Sequence, residues 1–144
     1  MAALKTLPTR PQGRNGPLLP RLGLGLMSAS GMYGSSPSDQ ERFNFLHEAY
    51  KREEQFWDTA EKYGDSEDLL GEWFAANPDK PKHIFLATKF GIKPIEIPPG
   101  QTMDSSPEYC RKSIYKPLGR LGLPFIDLYY EHRFDKLTPI EKTM

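Results

Sequence analysis

The sequence predicts an α/β fold on a parallel sheet, and three observations carry the prediction. Four short apolar runs, ending "LLPRLGLGLM" and then "QFWDTA", "HIFLATKF" and "FIDLYYEH", alternate with stretches of helical periodicity. The connections are of crossover size, and a helix-bearing crossover joins parallel strands where a tight turn would join antiparallel ones. A further helix start, Thr138, Pro139 and Glu141, follows the fourth run, so the pattern counts four βα units. Four units are half of a (β/α)8 TIM barrel, which takes about 250 residues when whole. The expected architecture is therefore a parallel barrel of this type truncated to about four βα units, a half barrel over residues 18–144.

Each element has its own signal. Ser38 precedes Glu41 by three residues, the capping-box spacing, and opens a helix with Phe43, Leu46, Ala49 and Tyr50 on one side. The aromatic "QFWDTA" is the second strand, and Leu69, Leu70, Trp73 and Phe74 give the next helix its apolar stripe. "HIFLATKF" is bounded by Pro81 and Gly91, and the proline-rich "GIKPIEIPPGQTMDSS" that follows is expected to hold no regular structure. Ser106 and Pro107 start a third helix with Ile114, Leu118 and Leu121 on its stripe, and Pro117 is expected to kink or split it.

Composition narrows the function classes. Nineteen basic residues balance nineteen acidic ones, so no net field favours nucleic acid or an anionic membrane. No apolar run is long enough for a membrane span or a signal-peptide core, and a cytoplasmic protein is expected. The single cysteine, Cys110, excludes an internal disulfide and a cysteine-based metal cluster, and reads as a small buried helix residue; no metal is expected. Residues 1–17 hold no acid and are broken by Pro8, Pro11 and Pro17, so they read as a disordered leader.

"GLGLMS" invites a dinucleotide-binding reading but fails it, because Ser28 stands where the third small residue should be and no helix begins there. The stronger constellation is distributed. Asp58 ends the second strand with Tyr63 in the loop after it, Lys89 ends the third strand and His132 the fourth. Carboxyl ends of parallel strands share one rim, so these four side chains are expected to converge there. A phenol, with its ordinary pKa of about 10, is a poor acid near neutrality until a neighbour stabilises the phenolate. A lysine can do so, a carboxylate can hold the lysine, and a histidine can orient a carbonyl. Taken singly, each has a plainer reading as strand-end or turn punctuation; the four together, with complementary roles, favour a site. His47 and His83 lie away from that rim and receive no role.

These segments resemble the aldo-keto reductases over about residues 18–144, in the order "RLGLGLMSASGMYG", "FWDTAEKYGDSEDLLGEWF", "IFLATKFGI", "SSPEYCRKSI" and "RLGLPFIDLYYEHR". The flavour is that of microbial and plant members resembling pyridoxal and small-aldehyde reductases. The resemblance implies an N-terminal barrel half of an enzyme that reduces an aldehyde or ketone with NADP(H), with specialised metabolism as one setting. It implies Tyr63 as proton donor, Lys89 as stabiliser of its phenolate, Asp58 as partner of Lys89 and His132 as carbonyl-orienting residue. Gly25, Leu26 and Met27, with Asp58, are expected to lie near the cofactor.

Two departures stand out. "KREEQ" replaces the Gly-x-Asn turn usual before the second strand, so the first helix is expected to end without a glycine cap. The later strands, which in the family hold the carboxamide, stack on the nicotinamide and grip the adenosine phosphate, are not in the sequence. A half barrel presents two open strand edges, which invites self-association. The alternative to a reductase is accordingly a catalytically silent relative acting as an interaction protein.

Overall fold

The computed structural model describes residues 7–143 apart from Met32 and residues 96–99. The chain opens with an antiparallel hairpin, β1 (Thr9–Pro11) and β2 (Leu18–Pro20). This corrects the structureless leader expected over residues 1–17, of which the first six lie outside the described residues. The prolines that argued against order are accommodated by register. The Arg21 amide donates to Pro8 O (2.8 Å) and the Gln12 amide to Pro17 O (2.9 Å), so Pro8 and Pro17 serve as acceptors. Pro11 and Pro20 then fall at the alternate positions, where an antiparallel ladder asks for no N–H.

β3 (Leu24–Gly25) leads through a short 3-10 turn over Met27–Ser30 to α1 (Asp39–Lys51). The capping box forms as expected: the Glu41 amide donates to Ser38 Oγ while the Ser38 amide donates to Glu41 Oε2 at 3.0 Å. Leu46 and Ala49 are buried, with Phe43 and Tyr50 packed beside them. The helix ends without glycine. Glu53 takes the left-handed conformation (φ 61°) and donates to Tyr50 O (3.1 Å), and Glu54 donates to Ala49 O (3.2 Å), the two bonds of a Schellman cap.

β4 (Phe56–Asp58), α2 (Ser66–Ala75) and β5 (Phe85–Phe90) follow. His83 falls in a 3-10 turn before β5 rather than on the strand. The loop expected to be irregular contains a second antiparallel hairpin, β6 (Ile92–Ile95) with β7 (Gly100–Met103). The Asp104 amide donates to Gly91 O (2.9 Å), which sets the ladder so that Pro94 occupies a position without a backbone donor. Proline content alone thus misjudged both hairpins.

α3 (Pro107–Ser113) is capped by Ser106 and stops before Ile114, and α4 (Tyr115–Leu121) resumes after it. The break lies where the missing N–H of Pro117 would have bonded to Ser113 O. Cys110 is buried on α3. β8 (Leu128–Glu131) and a turn of helix, α5 (Ile140–Thr143), are the last described elements. Thr138, expected as the cap of this last helix, donates its hydroxyl to Asp135 (2.8 Å).

Four strands form one parallel sheet in the order β3-β4-β5-β8, the arrangement of a partial (β/α) barrel. Strand alternation sorts its side chains. Leu24, Trp57, Leu86 and Thr88 face the helices, where Trp57 and Trp73 approach to 5.1 Å between ring centroids within a cluster of Leu46, Leu70 and Leu121. α2 and α4 pack closely because Gly71 has no side chain: a Cβ there would lie 2.1 Å from Arg120 O. Beneath them, fully buried Glu67 accepts from Thr88 Oγ1 (2.7 Å) and Arg120 Nη1 (3.0 Å), tying strand to both helices. Gly25, Asp58, Ala87, Lys89 and Tyr130 take the other face. Among the described residues, β3 and β8 each pair on one side only, and no helix is long and apolar enough to cross a membrane.

The strained cap predicts that Glu53→Gly stabilises the chain by roughly 0.5–1 kcal/mol, the left-handed penalty less the entropy glycine adds to the unfolded state. Urea denaturation checks it; a loss of stability would show that the Glu53 side chain contributes more than its backbone costs.

Candidate active site

Parallel register brings the strand ends together. Gly25 pairs with Asp58 and Asp58 with Ala87, while Lys89 pairs with Tyr130. The Leu26 amide donates to Asp58 O (2.9 Å), the Thr59 amide to Ala87 O (2.9 Å) and the His132 amide to Phe90 O (2.8 Å), extending the ladder into the loops. Asp58, Tyr63, Lys89 and His132 therefore meet on one rim, as the sequence predicts.

Lys89 is the centre of the group. The residue is buried (7% exposed), and its ammonium has three N–H donors. Each finds an acceptor: Asp58 Oδ1, Thr59 O at 2.8 Å and Tyr63 Oη at 3.2 Å. Burial pulls the lysine pKa down, and the hydrogen bonds to Asp58 and Tyr63 more than offset it, so the ammonium ends above the ordinary lysine range. Because Lys89 donates to Tyr63 Oη, the phenol keeps its own proton for another acceptor. None of the described residues takes it.

The loop that carries Tyr63 is pinned at several points. Thr59 Oγ1 and Ser66 Oγ lie 2.9 Å apart, the Tyr63 amide donates to Ala60 O (2.9 Å), and the Ser66 amide donates to Tyr63 O (2.9 Å). Arg42 holds Asp65 at 3.0 Å, and Arg120 donates to Gly64 O at 2.7 Å. A phenol anchored in this way can present its hydroxyl in one direction.

His132 stands edge-on to Tyr63, with ring centroids 5.5 Å apart at 89°. Burial, then Lys89 and Arg133, hold its pKa below the ordinary imidazole value, so the ring is neutral near pH 7. Its side-chain nitrogens bond to no described residue. A cleft of about 770 Å³ opens beside it, lined by Met103, Arg133, Phe134 and Leu137 among others.

The three expected cofactor neighbours divide. Gly25 is exposed on the Asp58 face, and Met27 is half-buried at the start of the 3-10 turn. Leu26, in contrast, turns its side chain into the hydrophobic core (1% exposed), as strand alternation requires. It presents no side chain to the rim.

Tyr130 is the residue that sequence reasoning missed. Its hydroxyl donates to Asp58 Oδ2 at 2.5 Å, and the Lys89 ammonium lies 5.3 Å from its ring centroid. Burial, reinforced by the hydrogen bond to Asp58, pushes its pKa up to about 12. The signal was available: Tyr130 stands two residues before His132, on the same strand face.

The His132 environment predicts a titration midpoint below about 6.5, rising when Lys89→Met removes the facing cation. The unfolded chain then binds the proton first, so stability falls as pH drops below the unfolded midpoint. A histidine-resolved NMR titration checks both statements; a parent midpoint at or above about 6.5 would contradict the first, and an unchanged midpoint in Lys89→Met the role of the cation.

Comparison with known proteins bears on this geometry. The model of the aldo/keto reductase family matches residues 21–144. "Aldo-keto reductase str7" of Strobilurus tenacellus is 43% identical over 143 residues, covering 96% of this chain and 40% of that protein. "Aldo-keto reductase yakc [NADP(+)]" of Schizosaccharomyces pombe is 38% identical over 141 residues, again covering 96% and 40%. The solved holo form of aldo-keto reductase AKR11C1 from Bacillus halodurans superposes with a TM-score of 0.80 at 25% identity, covering 95% of this chain and 44% of that one. The chain thus spans about two fifths of the length of these relatives, and over that span it belongs to the aldo/keto reductase family.

Proposed function

We propose that this chain supplies the proton-donating part of a carbonyl reductase that converts an aldehyde or ketone to an alcohol. The observation that supports it most is the Lys89 ammonium, satisfied on three sides and aimed at Tyr63 Oη. Tyr63 gives its proton to the carbonyl oxygen as that oxygen gains negative charge, and Lys89 stabilises the phenolate left behind. Asp58 keeps Lys89 in place. Neutral His132, with ring nitrogens open to the cleft, donates a hydrogen bond that orients the carbonyl.

The cofactor proposed is NADP(H), which the printed name of the Schizosaccharomyces pombe relative carries for that protein. When bound, it supplies the hydride for the carbonyl carbon. Gly25 supports room for it: a Cβ there would meet nothing within 4 Å, and its φ is not in the left-handed region. Neither packing nor backbone asks for glycine at that point, on the face that holds Asp58. Gly25 and Met27 are the residues that would border the cofactor, with Leu26 contributing backbone only. The setting we propose is cytoplasmic, in keeping with the free thiol of Cys110.

A second reading is favoured by the sheet edges. β3 and β8 each lack a neighbour on one side among the described residues, and such edges recruit further strands. In that reading the chain associates with itself or a partner through these edges and catalyses nothing.

Reduction of a panel of small aldehydes and ketones by the purified chain with NADPH separates the two. The first reading expects turnover that falls at least about 100-fold in Tyr63→Phe, with NADPH binding retained. Absence of turnover in the parent, or equal turnover in Tyr63→Phe, would overturn it in favour of the second.

A further inference from the structure

We infer that Tyr130 is a positioning residue for the proton donor, acting through Asp58 and Lys89. The inference rests on the proposed role of Tyr63. Asp58 is the only carboxylate on Lys89 among the described residues, and its side chain is 28% exposed. A carboxylate that open to water is free to turn about its Cβ–Cγ bond unless both oxygens are held. Lys89 holds Oδ1, and the Tyr130 hydroxyl holds Oδ2 at 2.5 Å. A bond of that length from a phenol to a charged carboxylate belongs to the strong class.

The geometry forms a relay of fixed positions. Tyr130 pairs in register with Lys89, so the two side chains stand side by side on one sheet face. The Tyr130 ring lies on one side of the ammonium, 5.3 Å to its centroid, and the Tyr63 ring on another, at 4.7 Å. The ammonium is therefore within reach of two aromatic rings, with Asp58 bridging it to Tyr130. With the Tyr130 hydroxyl removed, Oδ2 turns to water, the grip on Lys89 loosens, and the 3.2 Å contact from Lys89 to Tyr63 Oη lengthens. Tyr130 touches neither the carbonyl nor the proton in flight. It sets the direction of the charge that makes Tyr63 an acid.

A packing role alone predicts something different. If Tyr130 only filled space, Phe would serve equally well, since the ring contacts are retained. Tyr130→Phe is thus the informative change. With the parent active, the variant is expected to lower kcat about 10-fold with the KM for NADPH unchanged. The alkaline limb of the rate profile moves to higher pH, because a looser ammonium stabilises the phenolate less. In the Asp58→Asn background the same change has little further effect, since the two act as one unit.

A readout independent of turnover keeps this proposal separate from the last one. In chain labelled with 15N-lysine, the Lys89 ammonium protons are protected from solvent exchange, and Tyr130→Phe accelerates that exchange several-fold while circular dichroism and the unfolding midpoint confirm the fold. Should Tyr130→Phe not fold, Asp58→Asn is measured instead, and the acceleration is expected there, where the acceptor for Tyr130 is altered from the other side. Faster Lys89 exchange in a chain without turnover supports the hold of Tyr130 on Lys89 through Asp58, and removes the reductase reading together with the proton-donor role that rests on it. Turnover and exchange both unaltered by Tyr130→Phe would overturn the positioning role and leave the reductase reading intact.

Discussion

A lysine buried to 7% exposure with its charge retained is the constraint from which the rest of the site follows. Taking an ammonium out of water costs several kcal/mol unless every donor is satisfied. At Lys89 the acceptors come from three different places: the end of β4, the backbone just after it, and the loop beyond. Satisfying the charge therefore fixes the loop that carries Tyr63. The contacts on which the proposed proton donation depends are the same ones that solve the problem of a buried charge.

The outer layers make that solution possible. Register between β4 and β5 is set on the helix side by Trp57 and Leu86 against Trp73 and Leu70, and by Thr88 on buried Glu67. A slip of one residue would turn Lys89 into the apolar layer and Thr88 to the rim. The cluster that holds the helices to the sheet is thus also what points the ammonium at Tyr63. Arg120 joins the two levels, since it neutralises Glu67 below and holds Gly64 O next to Tyr63 above.

Much of this was legible in the sequence because chemistry interrupted pattern. Asp58, Lys89 and His132 stand out as polar residues closing apolar runs, and the capping box of Ser38 and Glu41 needs no tertiary context. Tyr130 did not stand out, since a tyrosine in "LYYEH" satisfies strand propensity and conceals a hydroxyl with a specific partner 72 residues away. The two hairpins were hidden by their prolines, whose compatibility with a ladder depends on register and not on composition. The inward side chain of Leu26 was hidden for a related reason: adjacent strand residues face opposite ways, so a motif of three cannot all reach one ligand with side chains.

The titration of Lys89, followed through its side-chain carbon and nitrogen resonances, reads directly whether the buried ammonium is stabilised by its three acceptors. The expected midpoint lies above the ordinary lysine value of about 10.4, with the associated stability present below the unfolded midpoint and lost as pH rises through the folded one. A midpoint below the ordinary value would mean that burial prevails over Asp58, Thr59 and Tyr63, and would contradict an ammonium stabilised by those three acceptors.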